Sequence, residues 1–198
     1  MKKNILSRKE EIILTTISLI HEFGIGQLSM KEIGRREGVS EASLYRHFRN
    51  KEELLSDVLA YYEKYDIYIR SSFQGSDGSM NDNIRLYFNM YSEYYENYRE
   101  ITALLNCCDS LLYDEALGER VKKTEQGKLN FLTGLIEQAQ KNGELQNIIN
   151  PKYLSCVLLG TFREIIRMWR QLEYSFPLKE RTNEIIDNVV QVYAEKRR

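Results

Sequence analysis

A chain of 198 residues with 42% hydrophobic residues and formal net charge −1 is long enough for one good-sized core, or for a small domain joined to a larger one. Its wholly apolar runs last only a few residues, too short for a membrane span, and the basic start MKKNILSRKEEII lacks the apolar core and cleavage site of a signal peptide. Cys107, Cys108 and Cys156 form no disulfide framework, which points to reduced thiols and a cytoplasmic location.

The net charge hides an asymmetry. Residues 1–51 hold ten Lys or Arg against six Glu, +4, whereas residues 52–198 hold 18 basic against 23 acidic residues, −5. A basic head on a mildly acidic body suits a nucleic-acid-binding unit attached to a body with another task.

Helical periodicity runs through almost the whole chain and no strand pattern interrupts it, so the fold class is all-α, with about nine helices. The first helix is expected from about residue 8 to 23, opened by a Ser7/Glu10 capping box and ended by Gly24 and Gly26. Ile13, Thr16, Ile17, Ile20 and Phe23 mark its buried face. A short second helix starts at a Ser29/Glu32 box and stops at Gly38. The third starts from Ser40 and ends near Phe48, and Asn50 with Glu53 opens the fourth. QGSDGSMNDN, 74–83, reads as a loop. Further helices are expected at about 80–99, 101–112, 115–142, 151–172 and 178–196, with Gly143 as a stop and Pro151 and Pro177 as starts.

The corner at 29–48 satisfies the demands of a helix-turn-helix one at a time. Gly38 supplies the left-handed turn and Val39 plugs the corner. Leu44 and Phe48, four apart, face the core, so Ala42 and Arg46 point away from it with Ser43 and Tyr45 on the flanks. Small residues near the helix start allow close approach to a groove floor, and Tyr45, Arg46 and His47 have the reach for phosphates or base edges. Lys51 opposes the dipole of the helix it opens, a placement that a shared phosphate would explain. Glu41 opposes phosphate but can accept from a cytosine amino group. A helical corner without nucleic acid would need the caps, the glycine and the inward pair, but not this outer set.

The segment SRKEEIILTTISLIHEFGIGQLSMKEIGRREGVSEASLYRHFRNKEELL resembles the DNA-binding domain of the TetR family of bacterial transcriptional regulators. The specific part is GVS-x-x-x-LY-x-HF-x-x-K-x-x-LL following S-M-K-E-I-G. The resemblance implies a homodimer whose two heads occupy successive major grooves of a palindromic double-stranded operator. It implies DNA-facing roles for Ser29, Lys31, Ser40, Glu41, Ala42, Ser43, Tyr45, Arg46, His47 and Lys51. It implies domains 1–50 for DNA and 51–198 for ligand binding and dimerisation, and release when an unidentified small-molecule effector moves the fourth helix. Gly34 stands where alanine is common in the family, which suggests a looser second helix.

Nine tyrosines from Tyr61 to Tyr98 fall within forty residues. They read either as a ligand pocket, formed by Tyr62, Tyr65, Tyr87, Tyr91, Tyr94, Phe131 and Phe162, or as amphipathic packing. Adjacent Tyr94 and Tyr95 cannot both face one pocket. Cys107 and Cys108 lack metal-ligand spacing and suit small buried packing, so no metal and no cofactor is expected. The last two helices carry broad apolar faces. By the resemblance these form a dimer interface through Tyr153, Val157, Phe162, Ile166, Trp169, Ile186, Val189, Val190 and Tyr193; the other reading is closure of the chain's own core. No nucleophile elbow, phosphate loop or paired metal motif announces an enzyme. The expectation is a cytoplasmic ligand-responsive repressor with no membrane segment. The alternative is a helical module that binds protein partners and leaves DNA alone.

Overall fold

The structure is a computed structural model that describes residues 6–73 and 79–194. Among them lie nine α-helices: α1 Arg8–Phe23, α2 Met30–Glu37, α3 Glu41–Leu44, α4 Lys51–Ser71, α5 Met80–Asn97, α6 Ala103–Leu111, α7 Gly118–Lys141, α8 Pro151–Gln171 and α9 Leu178–Tyr193. Short 3₁₀ turns at Ile25–Gln27 and Arg99–Thr102 join them, and no strand is present among the described residues beyond a lone bridge between Leu145 and Ala194. Most of the expected loop, 74–78, and the two chain ends lie outside the described residues.

Local signals place the helix starts. Ser7 and Glu10 form the full reciprocal box, with Glu10 N donating to Ser7 Oγ at 3.2 Å and Ser7 N to Glu10 Oε2 at 2.9 Å. At α2 only half of the expected box forms: Ser29 Oγ accepts from Glu32 N, but the Glu32 carboxylate turns to Arg35 instead. Asn50 Oδ1 accepts from Glu53 N at 2.8 Å, and the Glu53 carboxylate answers on Arg49 N. Asn150 caps α8 ahead of Pro151, and Gly143, at φ +70°, follows the end of α7.

The described residues divide into two compact units, 6–65 with 98–124, and 66–73 and 79–97 with 125–194. In the first, Ile12, Ile17, Ile20, Ile33, Leu44, Phe48, Leu54 and Val58 form one core, each side chain contributing about 1.5–3 kcal/mol by leaving water. The 3₁₀ turn Arg99–Thr102 and α6 pack on α1 in the same unit, bringing Ile101 and Leu104 inside. Residues of α4 and α6 are thus buried in the same unit as α1, α2 and α3. Phe23 departs from expectation, being 55% exposed. It lies at the rim of the α1 stripe and the helix stops at the next residue, so the described residues cover it only in part.

In the second unit α5 and α8 both pack on α9, burying Ile84, Phe88, Leu154, Leu158, Ile165, Trp169, Leu178 and Ile186. Polar pins set the register of α5 against α9: Arg85 pairs with Asp187 and Lys179 with Glu93, while Lys179 N donates to Glu96 Oε1 at 3.2 Å. Trp169 Nε1 donates to Phe176 O at 2.8 Å, which satisfies the indole inside the turn between α8 and α9.

Candidate functional site

The first unit builds one exposed face from α2, α3 and the start of α4. Gly38 ends α2 at φ +66°, a left-handed conformation that disfavours a side chain, and Val39 N donates back to Gly34 O at 2.9 Å. This turn is tight. A Cβ on Gly34 would lie 2.9 Å from Val39 O, so the glycine serves a close approach of α2 to the turn rather than a loosened helix.

Ser40 Oγ accepts from Ser43 N and starts α3. Regular α-geometry ends at Leu44, earlier than the sequence suggests, because His47 N closes a tighter bond to Leu44 O at 2.8 Å. Phe48 N still reaches Leu44 O at 3.0 Å, so the turn holds, and Leu44 and Phe48 are both fully buried. With these two inward, Ser40, Glu41, Ala42, Arg46 and His47 are exposed, Tyr45 is 47% exposed and Ser43 is half-buried. Ser29 and Lys31, at the start of α2, are exposed as well.

Electrostatics sort the basic residues. Arg35 is held by Glu32 at 2.6 Å and Arg36 by Glu22 at 2.6 Å, and these guanidiniums draw both carboxyls below the usual range. Lys31 and Arg46 pair with no carboxylate among the described residues; Arg46 Nη2 donates to Ser43 Oγ at 2.8 Å. Lys51 has a task the sequence did not reveal: its Nζ donates to Leu28 O at 2.7 Å, leaving two N–H donors. Glu41 accepts from Tyr45 Oη at 3.4 Å, too long to hold the carboxylate firmly. The arrangement is a short helix with a small, polar, aromatic and basic outer side, anchored by an apolar inner side.

The residues expected to line a ligand pocket are divided. Tyr62 is buried and Tyr65 half-buried in the first unit. In the second, Tyr87 stacks on Phe131 at 5.7 Å and meets Tyr91 edge-on at 5.0 Å, and Phe162 lies against Tyr91 at 6.4 Å. Tyr94 stays half-buried, whereas Tyr95 is buried and stacks on Phe162 at 6.2 Å. The spacing of four, Tyr87, Tyr91 and Tyr95, is the signal that selects Tyr95 over its neighbour. Sequence reasoning missed the charged residues near these rings: Asp66 with Arg70 and Glu125 with Lys128 are each joined by a helical spacing, but no local pattern joins the two pairs.

On α8 and α9 the expected dimerisation residues separate by exposure. Phe162, Ile166, Trp169 and Ile186 are buried within the chain, and Val189, Val190 and Tyr193 are half-buried. Tyr153 is 66% and Val157 45% exposed, and Met168, Leu172 and Val192 add further exposed apolar surface. Cys107 and Cys108 are buried in α6. No group of residues among those described is arranged to hold a metal, and no helix of the described residues is long and apolar enough to cross a membrane.

Comparison with known proteins bears on both units. Residues 12–58 match the family model "Bacterial regulatory proteins, tetR family", and residues 80–192 match "YsiA-like protein, C-terminal region". The fatty acid metabolism regulator protein of Bacillus subtilis is 19% identical over 182 residues, 91% of this chain and 92% of its own. The ketosteroid transcriptional regulator KstR2 of Mycobacterium tuberculosis shares the fold at TM-score 0.84 and 14% identity, covering 98% of each chain. FadR from Bacillus subtilis in complex with stearoyl-CoA shares it at TM-score 0.73 and 18% identity, covering 91% of this chain and 97% of the other. With a head that presents a groove-sized polar helix and family matches across both regions, the chain belongs to the tetR family of bacterial regulatory proteins: it is a ligand-responsive, DNA-binding transcriptional regulator.

Proposed function

We propose that this regulator represses transcription as a homodimer on a palindromic operator, and that a long-chain acyl thioester releases it. The observation that carries the DNA reading is the inside-out division of α3 and the turn that continues it to Phe48, with Leu44 and Phe48 buried and Ala42, Tyr45 and Arg46 turned outward. Ala42 and Ser43 bring the backbone to the groove floor, Tyr45, Arg46 and His47 contact phosphates and base edges, and Ser29, Lys31, Ser40 and Lys51 fix the register on the backbone. Glu41 sits at the end of this set nearest α2 and excludes bases that offer it no donor. A module that binds only protein partners has no use for this face.

Dimerisation through α8 and α9 is supported by the exposed Tyr153, Val157, Met168 and Leu172 on one helix and Val192 on the other, an apolar area that a partner copy would cover. The effector class is supported by the stearoyl-CoA carried by the similar Bacillus subtilis FadR and by the aromatic interior of the second unit, which suits an alkyl chain. Release then requires tighter binding of the effector to a form that does not fit the operator. The test is an operator-release titration. Stearoyl-CoA is expected to free labelled operator at micromolar concentration or below, and an effector of another class acting alone would displace this assignment.

A further inference from the structure

The first unit carries a groove of about 470 Å³ with three walls: Leu14, Thr15 and Ser18 on α1, Tyr61 on α4, and Tyr98 with Glu100 at the 3₁₀ turn that precedes α6. A volume of that size falls within the range of small-molecule sites. The walls are fixed by contacts outside the groove. The 3₁₀ turn packs on α1, and Lys9 on α1 pairs with Asp57 on α4 at 2.6 Å.

Charge in this groove is one-sided. Of the six lining residues only Glu100 is ionised at neutral pH. It is half-buried, and its carboxylate has neither an ion pair nor a hydrogen bond among the described residues. The α1 hydroxyls are committed elsewhere: Thr15 Oγ1 donates to Glu37 and Ser18 Oγ to Glu22 at 3.3 Å. Lys64, exposed, stands over the Tyr61 ring at 6.0 Å, the outer limit of a cation–π contact, and pairs with no carboxylate of the groove. The Tyr61 phenol is raised first by burial and then by the Glu10 carboxylate, so this wall stays neutral in the field of a second anion. A half-buried carboxylate without a counter-charge is a cost that a fitting cation removes, and aromatic faces attract the same charge.

We propose that this groove is a second ligand site, on the DNA-binding unit, which takes a small organic cation of the quaternary ammonium class. Tyr61 and Tyr98 supply ring surface, Glu100 the counter-charge and Leu14 an apolar contact. A quaternary ammonium suits these walls because its charge is spread over methyl groups and it asks for no hydrogen-bond acceptor. The site uses no residue of the second unit, and the acyl-effector reading neither supports nor requires it.

The experiment titrates the full chain, by NMR line broadening of the ligand, with two probes: choline, and its uncharged isostere with carbon in place of the quaternary nitrogen. Wild type is expected to bind choline about tenfold more tightly than the isostere, the combined value of ring contacts and one partly exposed charge pair. Glu100→Gln keeps the side-chain size and should bring the two probes to within about twofold of each other. Ser18→Leu puts an alkyl group into the groove from the α1 wall and should weaken choline binding about tenfold. The two variants act on different walls, so the test survives a folding failure of either. Glu180→Gln removes an exposed carboxylate from α9 and should keep the wild-type preference. A wild type that binds both probes equally, a Glu100→Gln variant that keeps the preference, a Ser18→Leu variant that binds choline as wild type does, or a Glu180→Gln variant that loses the preference would each overturn the proposal.

Discussion

The ammonium of Lys51 donates to the carbonyl of Leu28 at 2.7 Å, tying the first turn of α4 to the residue just before the α2 cap. A lysine in that first turn opposes the helix dipole. The Leu28 carbonyl offsets this cost, and the remaining donors are left for a phosphate. Lys51→Met keeps the stem and removes the amine. It is expected to lower the urea-unfolding stability by about 1 kcal/mol and to reduce the salt slope of operator binding by about one unit. An unchanged slope would assign Lys51 to structure alone.

Tyr45 contributes little to the fold, because its ring is on the surface and its hydroxyl makes only a long contact to Glu41. Tyr45→Phe should leave the thermal unfolding curve within about 0.5 kcal/mol of wild type and weaken operator binding about five- to tenfold in an anisotropy titration.

Leu44 is the inward anchor of the same turn. Leu44→Ala leaves a cavity beside Gly34 that the packed core closes only in part, at a cost of about 3 kcal/mol. Chemical denaturation should show this loss directly, and operator affinity should fall with it although Leu44 itself never touches DNA.

Glu63 and Arg120 give the first unit a pH-sensitive clamp. Arg120 Nε donates to Glu63 Oε1 at 2.9 Å, Arg120 Nη2 to Oε2 at 2.5 Å, and Thr124 Oγ1 also donates to this carboxylate, so α7 is held against α4. Partial burial works to raise the Glu63 carboxyl, but the bonds from Arg120 and Thr124 outweigh it and leave it below the usual range. A folded-state value below the unfolded one means that the stabilisation is present above the unfolded carboxylate range. It is lost as pH falls through the depressed folded value. Wild-type stability should therefore drop below about pH 4, and Glu63→Gln, destabilised by about 1–2 kcal/mol at pH 7, should converge on wild type in acid. A constant difference between the two at every pH would contradict this.

Local chemistry was legible in the sequence where a cap, a turn glycine or an apolar spacing marks it, but not in the i,i+3 and i,i+4 ion pairs of Glu32 with Arg35, Asp66 with Arg70 and Glu125 with Lys128. The Ser7 box and the Leu44/Phe48 pair follow from spacings of three and four, the Gly38 turn from a single glycine and the start of α8 from Pro151, and the structure has each of them. Phe23 shows the limit of periodicity, which marks a face but cannot say where the covering surface stops. The contact of Lys51 with Leu28 spans 23 residues, and the cluster of Asp66, Tyr91 and Lys128 joins three helices. No caps or spacings announce such meetings, because only tertiary packing brings these residues together. The recognition face was legible for the opposite reason: within residues 42–48 the inward pair Leu44 and Phe48, four apart, turns Ala42, Tyr45 and Arg46 outward.

The central claim is that the outer side of α3 and of the turn that follows it, residues 41–47, reads a specific DNA sequence. Its most direct measurement is a footprint and salt-dependent titration on DNA from upstream of the regulator's own coding sequence, for wild type and Arg46→Ala. The account predicts two protected half-sites about 34–36 Å apart, affinity that falls steeply with salt, and a loss of specificity in Arg46→Ala. Binding no tighter than to random DNA, and equal for both proteins, would contradict it.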